Sequence, residues 1–239
     1  SSKYNEFLSN LISEKLHENW SPEQISNALL NGKLSFKTIY NWIYIGKLKG
    51  ISFKNLRHKG KRRKKETRGK FLIGNSITTR PKDVKSRKTF GHWELDTIVS
   101  SRGKSKACLA TFVERKTRFY VAIKIKDRTA PSMLKAIKKL VKVLPKKALK
   151  TFTTDRGKEF ACYKEVEKLN IKVYFADAYA AWQRGSNENS NGLLREYYPK
   201  KTDLGKISND DLIEKLILLN SRPRKCLNWD NPFNLFLKE

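Results

Sequence analysis

The sequence is poor in acid and in cysteine, and it has no long apolar run. Its 239 residues include 23 aspartates and glutamates against 52 lysines and arginines, a formal charge of +29. Cys108, Cys162 and Cys226 stand far apart with no C-x-x-C pair. That argues against a disulfide framework or a cysteine-based zinc finger and fits a reducing compartment. His17, His58 and His92 are equally dispersed and read as surface or core side chains rather than ligands. No uncharged stretch is long enough to cross a bilayer, so no transmembrane helix and no membrane partner are expected. The start, Ser1-Ser2-Lys3-Tyr4, has no Met, and no signal h-region or cleavage motif follows it. It reads as a boundary left by processing or truncation, and the expected location is the cytoplasm. Apolar residues make up 38% and aromatics 11%, too many for a disordered tail, so a core should form. So large a charge on a folded chain calls for a polyanion, nucleic acid first.

Three zones differ in pattern. Residues 1–50 are helical, with Phe7, Leu8, Leu11, Ile12 and Leu16 at helical spacing. Ser21-Pro22-Glu23-Gln24 predicts a helix start, with Ser21 as N-cap, Pro22 at the first position and Gln24 closing a capping box. Ile25, Ala28 and Leu29 would face inward, and Asn31-Gly32-Lys33 ends the helix. Ser35 caps a further helix with Phe36, Ile39, Tyr40 and Ile43 on its apolar side. Two short helices about a glycine-containing turn read as a helix-turn-helix, which would present Lys37, Thr38 and Asn41 to DNA; a plain three-helix packing unit fits the same pattern. Residues 51–90 read as a basic linker, densest at Lys61, Arg62, Arg63, Lys64 and Lys65. Such a run cannot form a core and suits either solvent or DNA phosphates.

Residues 91–239 alternate strand and helix signals and predict an α/β catalytic domain built on a mixed sheet. Strands are expected at 92–100, 107–114, 118–125, 149–154 and 171–176. Helices are expected at 130–144, 158–169, 187–197 and 209–219.

In so basic a chain the acids are the informative residues. Asp96 lies in a strand whose alternation places Glu94 and Asp96 on one face and Trp93, Leu95, Thr97 and Val99 on the other. Asp155 stands at a strand exit, where open α/β sheets bind ligands. Glu188 follows Asn187, a candidate helix cap, and Asn191, Gly192 and Arg195 come next on a similar face. If these three acids converge, they need a hard divalent cation, and magnesium is the natural one beside phosphate. Two such ions roughly 4 Å apart can activate the attacking oxygen and stabilise the leaving one. Spacing alone leaves the set open. Asp155 also suits a turn and Glu188 a helix's first turn, while Glu94, Glu159 and Asp177 are rival acids. Tyr197 and Tyr198 read as packing residues rather than as a nucleophile.

Three blocks resemble the catalytic blocks of IS30-family insertion-sequence transposases: His92-Trp93-Glu94-Leu95-Asp96-Thr97, Thr154-Asp155-Arg156-Gly157-Lys158-Glu159-Phe160, and the run from Trp182 to Arg195. The segment Leu219-Asn220-Ser221-Arg222-Pro223-Arg224-Lys225 is similar to the family's C-terminal signature, and Trp20–Ile25 to its pre-catalytic helix-turn-helix. The resemblance implies an RNase H-like (integrase-type) fold and a DDE transposase with Asp96, Asp155 and Glu188 as catalytic acids and metal ligands. It implies Mg2+, two ions per site with Mn2+ able to substitute, and double-stranded DNA as partner, both the element's terminal inverted repeats and a target. It further implies at least a homodimer on DNA and an association with the bacterial nucleoid. Lys158, Arg184 and Arg195 are candidate phosphate contacts beside the acids. Arg156 stands where many relatives have Asn, and Ala178 where Pro is usual. The family also carries a further helix-turn-helix ahead of the point where this sequence begins. A metal-dependent nuclease that cuts without joining, and a transposase-derived DNA-binding repressor, are the competing functions.

Affinity for DNA should fall steeply with added salt, because many Lys and Arg would neutralise phosphates. Titrations of duplex DNA at several salt concentrations check this, and a salt-insensitive affinity contradicts the electrostatic reading.

Overall fold

Local signals set the ends of the first helices in the computed structural model, which describes residues 4–57, 74–177 and 180–239. Asn5 caps α1 (Glu6–His17) by accepting from the Leu8 N–H. Ser21 and Gln24 form the reciprocal capping box of α2 (Pro22–Gln24), with Pro22 in its first turn. The chain then widens into a π turn, Ile25–Leu29. Ser35 caps α3 (Phe36–Tyr44). Ile12, Leu16, Ile25, Leu34, Ile39, Trp42, Ile43 and Leu48 bury their side chains together. Phe7, at helical spacing with these, is 78% exposed and takes no part.

The described residues form two compact units: the helical one, 4–57 with 221–238, and a second holding 74–177, 180–220 and Glu239. Sequence patterning assigns 221–238 to the α/β domain and 51–90 to a linker, and the packing differs at both places. Arg222, fully buried, donates to the Asn19 carbonyl, and Gln24 donates to the Pro223 carbonyl. Residues 221–238, with α9 (Pro232–Leu237), thus belong to the helical unit. In the second unit, β1 (Asn75–Ser76) and α4 (Asp83–Ser86) already precede residue 91. Lys61, Arg62, Arg63, Lys64, Lys65 and Ala178 lie outside the described residues.

The second unit is built on a six-stranded mixed sheet. Its other strands are β2 (His92–Val99), β3 (Cys108–Glu114), β4 (Tyr120–Ile125), β5 (Thr151–Thr154) and β6 (Lys172–Phe175). The order is β1-β6-β5-β2-β3-β4. β2, β3 and β4 form an antiparallel meander, whereas β5 runs parallel to both β2 and β6. The expected strands are all present, slightly shorter. Every residue of β3 is buried, as a strand covered on both faces requires.

Four longer elements cover the sheet. They are α5 (Ala130–Val143), the 3-10 turn Lys158–Cys162 leading into α6 (Tyr163–Glu167), α7 (Gly185–Tyr197) and α8 (Asn209–Ser221). α5 starts at Thr129, which caps it, and buries Met133, Ala136, Ile137 and Leu140, one face at helical spacing. Ile98, Leu109, Val113, Tyr120, Leu193, Leu194 and Leu219 form the core between the sheet and the α7–α8 side. At the start of β4, Asn220 receives the Tyr120 N–H (2.9 Å) and donates to the Tyr120 carbonyl (2.8 Å). One buried side-chain amide thereby acts as a further ladder rung on the edge strand.

No helix among the described residues is long and apolar enough to cross a membrane. Replacing Asn220 by Leu should cost about 1–3 kcal/mol, because it leaves the Tyr120 amide and carbonyl buried and unpaired. A lower urea midpoint at unchanged slope is the expected result.

Candidate active site

Strand register places the first two acids. β2 and β5 pair in parallel from His92↔Thr151 to Glu94↔Thr153. Continuing that register past the end of β5 sets Asp155 beside Asp96. Arg184 bridges them, with Nη1 at 3.5 Å from Asp96 Oδ2 and Nη2 at 3.3 Å from Asp155 Oδ2. Its Nε is buried without a hydrogen-bond partner. Asp96 Oδ1 accepts from the Thr97 N–H (2.8 Å) and Oδ2 from Asn191 Nδ2 (3.1 Å). Burial pushes the Asp96 carboxyl up to about 6; the Arg184 charge opposes the shift and the Asp155 charge adds to it. Asp155 Oδ1 accepts from the Gly157 N–H (2.9 Å), which turns the chain out of β5.

The two faces of β2 are fastened differently. On the α7 face, Glu94 is fully buried. It pairs with Arg115 and accepts the Asn187 N–H (2.9 Å), while Asn187 Nδ2 donates to the Glu94 carbonyl (2.8 Å). Glu94, a rival acid by spacing, is thus a clamp holding α7 to the sheet. Asn187 does not cap α7; Gly185 begins the helix and Asn187 reaches into β2 instead. On the other face, Thr97 Oγ1 donates to Glu159 Oε1 (2.8 Å), which also receives Arg128 Nε (2.6 Å). Asp177, the third rival, is exposed and exchanges hydrogen bonds with Gln183: its N–H donates to Gln183 Oε1 and its Oδ2 accepts from Gln183 Nε2.

Glu188 stands exposed in the first turn of α7. It lies four residues after Arg184 and three before Asn191, the two side chains of this segment that reach Asp96. Among the described residues no three Asp, Glu, His or Cys side chains are close enough to enclose a metal ion. The structure therefore brings Asp96 and Asp155 together and does not close Glu188 onto them. The pair still fits a cation, because two half-buried carboxylates already share one guanidinium.

Lys158 is exposed at the start of its 3-10 turn. Arg195 is directed elsewhere, donating to the carbonyls of Val99, Tyr198 and Pro199. In the helical unit, Lys37 and Asn41 are exposed and Thr38 is half-buried on α3. Tyr198 donates to Asp211 (2.7 Å), and burial together with that bond pushes its hydroxyl well up, unlike an activated nucleophile. Burial likewise pushes the Cys108 and Cys162 thiols up to about 11, as inert core cysteines. Sequence reading misses Arg128 and Arg115, because their partners are 31 and 21 residues away. The one signal for Glu159 is its place in the Asp155 block.

Residues 86–181 match the integrase core domain family. The chain is 35% identical, over 94% of its length, to the transposase InsI of insertion sequence element IS30A from Escherichia coli K12, and spans 63% of that protein. It is 38% identical, again over 94%, to the transposase of insertion sequence element IS4351 from Bacteroides fragilis, spanning 71% of it. Among solved structures it is similar to the HTLV-2 integrase catalytic core domain in complex with magnesium, with TM-score 0.47 and 18% identity over 62% of this chain and 97% of that one. The chain thus covers less than two thirds of the E. coli relative's length. By its sequence identity to these transposases over nearly its whole length, the chain belongs to the IS30 family of insertion-sequence transposases.

Proposed function

We propose that the whole protein cuts the ends of an insertion sequence and joins them to target DNA. The observation that carries this reading is the side-by-side placement of Asp96 and Asp155 around a single cationic group. Asp96, Asp155 and Glu188 are the proposed ligands of divalent metal, Mg2+ with Mn2+ able to substitute. Glu188 would complete the set by turning inward from the helix that already delivers Asn191 to Asp96. The metal would supply activation of the attacking oxygen and stabilisation of the leaving oxygen at phosphorus.

The chain's own residues prepare that chemistry. The Thr97 N–H and Asn191 hold the Asp96 carboxylate in one orientation. The Asp155 turn is fixed through Gly157. Arg184 offsets part of the charge of the two acids, and with metal held by the acids its guanidinium would suit a scissile phosphate. Lys158 is a second phosphate contact from the exposed rim. In the first step water attacks the phosphorus at the element's end, and the P–O bond to the 3′ oxygen breaks, leaving a 3′-hydroxyl. In the second, that hydroxyl loses its proton and attacks a target phosphodiester, and the target's own 3′ oxygen leaves. No covalent bond to the protein is needed.

Terminal inverted repeats and target DNA are the proposed partners. Lys37, Thr38 and Asn41 would face a groove, and Lys61, Arg62, Arg63, Lys64 and Lys65 would follow phosphates. Holding two ends at once calls for at least a homodimer on DNA.

A strand-transfer assay with pre-cut element ends tests the reading. Joined product is expected. Cleavage without joining points to a nuclease, and binding alone to a repressor. Asp96→Ala should abolish cutting and joining while gel-shift binding persists; an active Asp96→Ala variant means that the acids are misassigned.

A further inference from the structure

The buried carboxylate of Glu159 has a task that the reaction above leaves unused. Its side chain is 0% exposed. Oε1 takes both available donors, Thr97 Oγ1 and Arg128 Nε. Oε2 is buried with no hydrogen-bond partner. A buried charge kept only for structure would use both oxygens, and arginine offers a two-pronged fork suited to that. Here the Arg128 bond goes to one oxygen alone.

The position of the unpaired oxygen gives the reason. A Cβ placed on Gly157 would lie 2.5 Å from Glu159 Oε2 and 2.9 Å from Asp155 Oδ1. Both oxygens therefore border one small space, which stays open because residue 157 has no side chain. The Gly157 φ of -66° is ordinary for any residue, so backbone conformation does not call for glycine there. Crowding against the two acids does.

Resting on the proposed cation site of Asp96 and Asp155, we infer that Glu159 is a fourth acid of that site, a positioning residue whose Oε2 orients the hydration shell of the bound cation across the space over Gly157. Direct ligation is not required, and among the described residues no three acids are close enough for it. Magnesium keeps several of its waters when bound, and a fixed carboxylate beside them accepts their protons in hydrogen bonds. Arg128 and Thr97 set the Glu159 rotamer, and Thr97 is the residue whose N–H also holds Asp96. The carboxylate thus ties the orientation of the cation to that of the first acid. Partners of this kind typically change metal affinity by 10–100-fold.

The test is Mn2+ binding to the full chain without DNA, read from the free-ion electron paramagnetic resonance signal, together with thermal melts with and without Mn2+. Glu159→Gln should bind Mn2+ roughly 10–100-fold more weakly and lose most of the Mn2+-induced rise in Tm. Gly157→Ala leaves the Glu159 and Arg128 side chains in the chain but sets a methyl group against Glu159 Oε2 and Asp155 Oδ1, so that one of them must shift, and should weaken Mn2+ similarly; it serves where the first variant does not fold. A Glu159→Gln chain that melts lower yet binds Mn2+ as wild type, or a Gly157→Ala chain with wild-type affinity, overturns the inference while Asp96→Asn still loses Mn2+. If Asp96→Asn and Asp155→Asn also bind as wild type, the cation site itself falls and the inference falls with it.

Discussion

Two carboxylates held side by side repel each other, and burial makes that repulsion more costly because water no longer screens it. The parallel register of β2 and β5 imposes this arrangement on Asp96 and Asp155. The surroundings of the pair follow from it. Arg184 lies between the acids, and the Thr97 amide and Asn191 approach Asp96 as donors. Burial pushes the Asp96 carboxyl up to about 6 even with the Arg184 charge beside it, so ionising the pair is costly and added positive charge favours the ionised form. The site therefore favours cations by construction. A site built from strand ends keeps that bias better than one on loops, since backbone ladders hold the two Cα positions.

Buried glutamates clamp β2 from both sides. Glu94 works through Asn187 and Arg115 to fix α7, and Glu159 works through Thr97 and Arg128 on the opposite face. Removing one partner of such a buried pair strands a charge and costs more than the pair contributes. These contacts therefore specify position more than they add stability. They also explain how a chain of charge +29 can hold an acidic centre: several acids are spent inside the fold, while lysines dominate the exterior. That exterior gives long-range attraction for a polyanion without sequence discrimination.

Local chemistry made part of this legible. The Ser21 capping box, the Ser35 cap and the placing of Glu94 and Asp96 on one face of β2 involve neighbours within four residues, and each is present in the structure, where that face is turned toward Asn187 and Asn191 and Thr97 is turned to Glu159. The strand exit at Asp155 follows from the same kind of signal. Long-range pairing was not legible. Nothing near Arg115 in sequence reveals that it meets Glu94, and nothing near Arg222 reveals that it is buried against Asn19. The motif around Arg222 marks a family signature yet does not say which unit it joins. Asn187 shows the opposite failure. A residue type suited to capping sits near a helix start, but the unsatisfied amide and carbonyl needs of β2 and α7 recruit it instead.

Glu188 marks where sequence and geometry part furthest, and helix geometry indicates why. On α7, side chains three or four apart share a face, so Glu188 is set over the same end of the sheet as Asn191. Arg184, one turn earlier, occupies the charge-neutralising position between Asp96 and Asp155. Under the proposed chemistry, a carboxylate brought inward would meet two like charges that one guanidinium offsets only in part. The third acid gains from closing only when extra positive charge arrives. An exposed Glu188 and an inward Arg184 are thus two aspects of one electrostatic balance. In the proposed reaction, Glu188 would join Asp96 and Asp155 in holding the cation, and Arg184 would then be free to pair with a DNA phosphate.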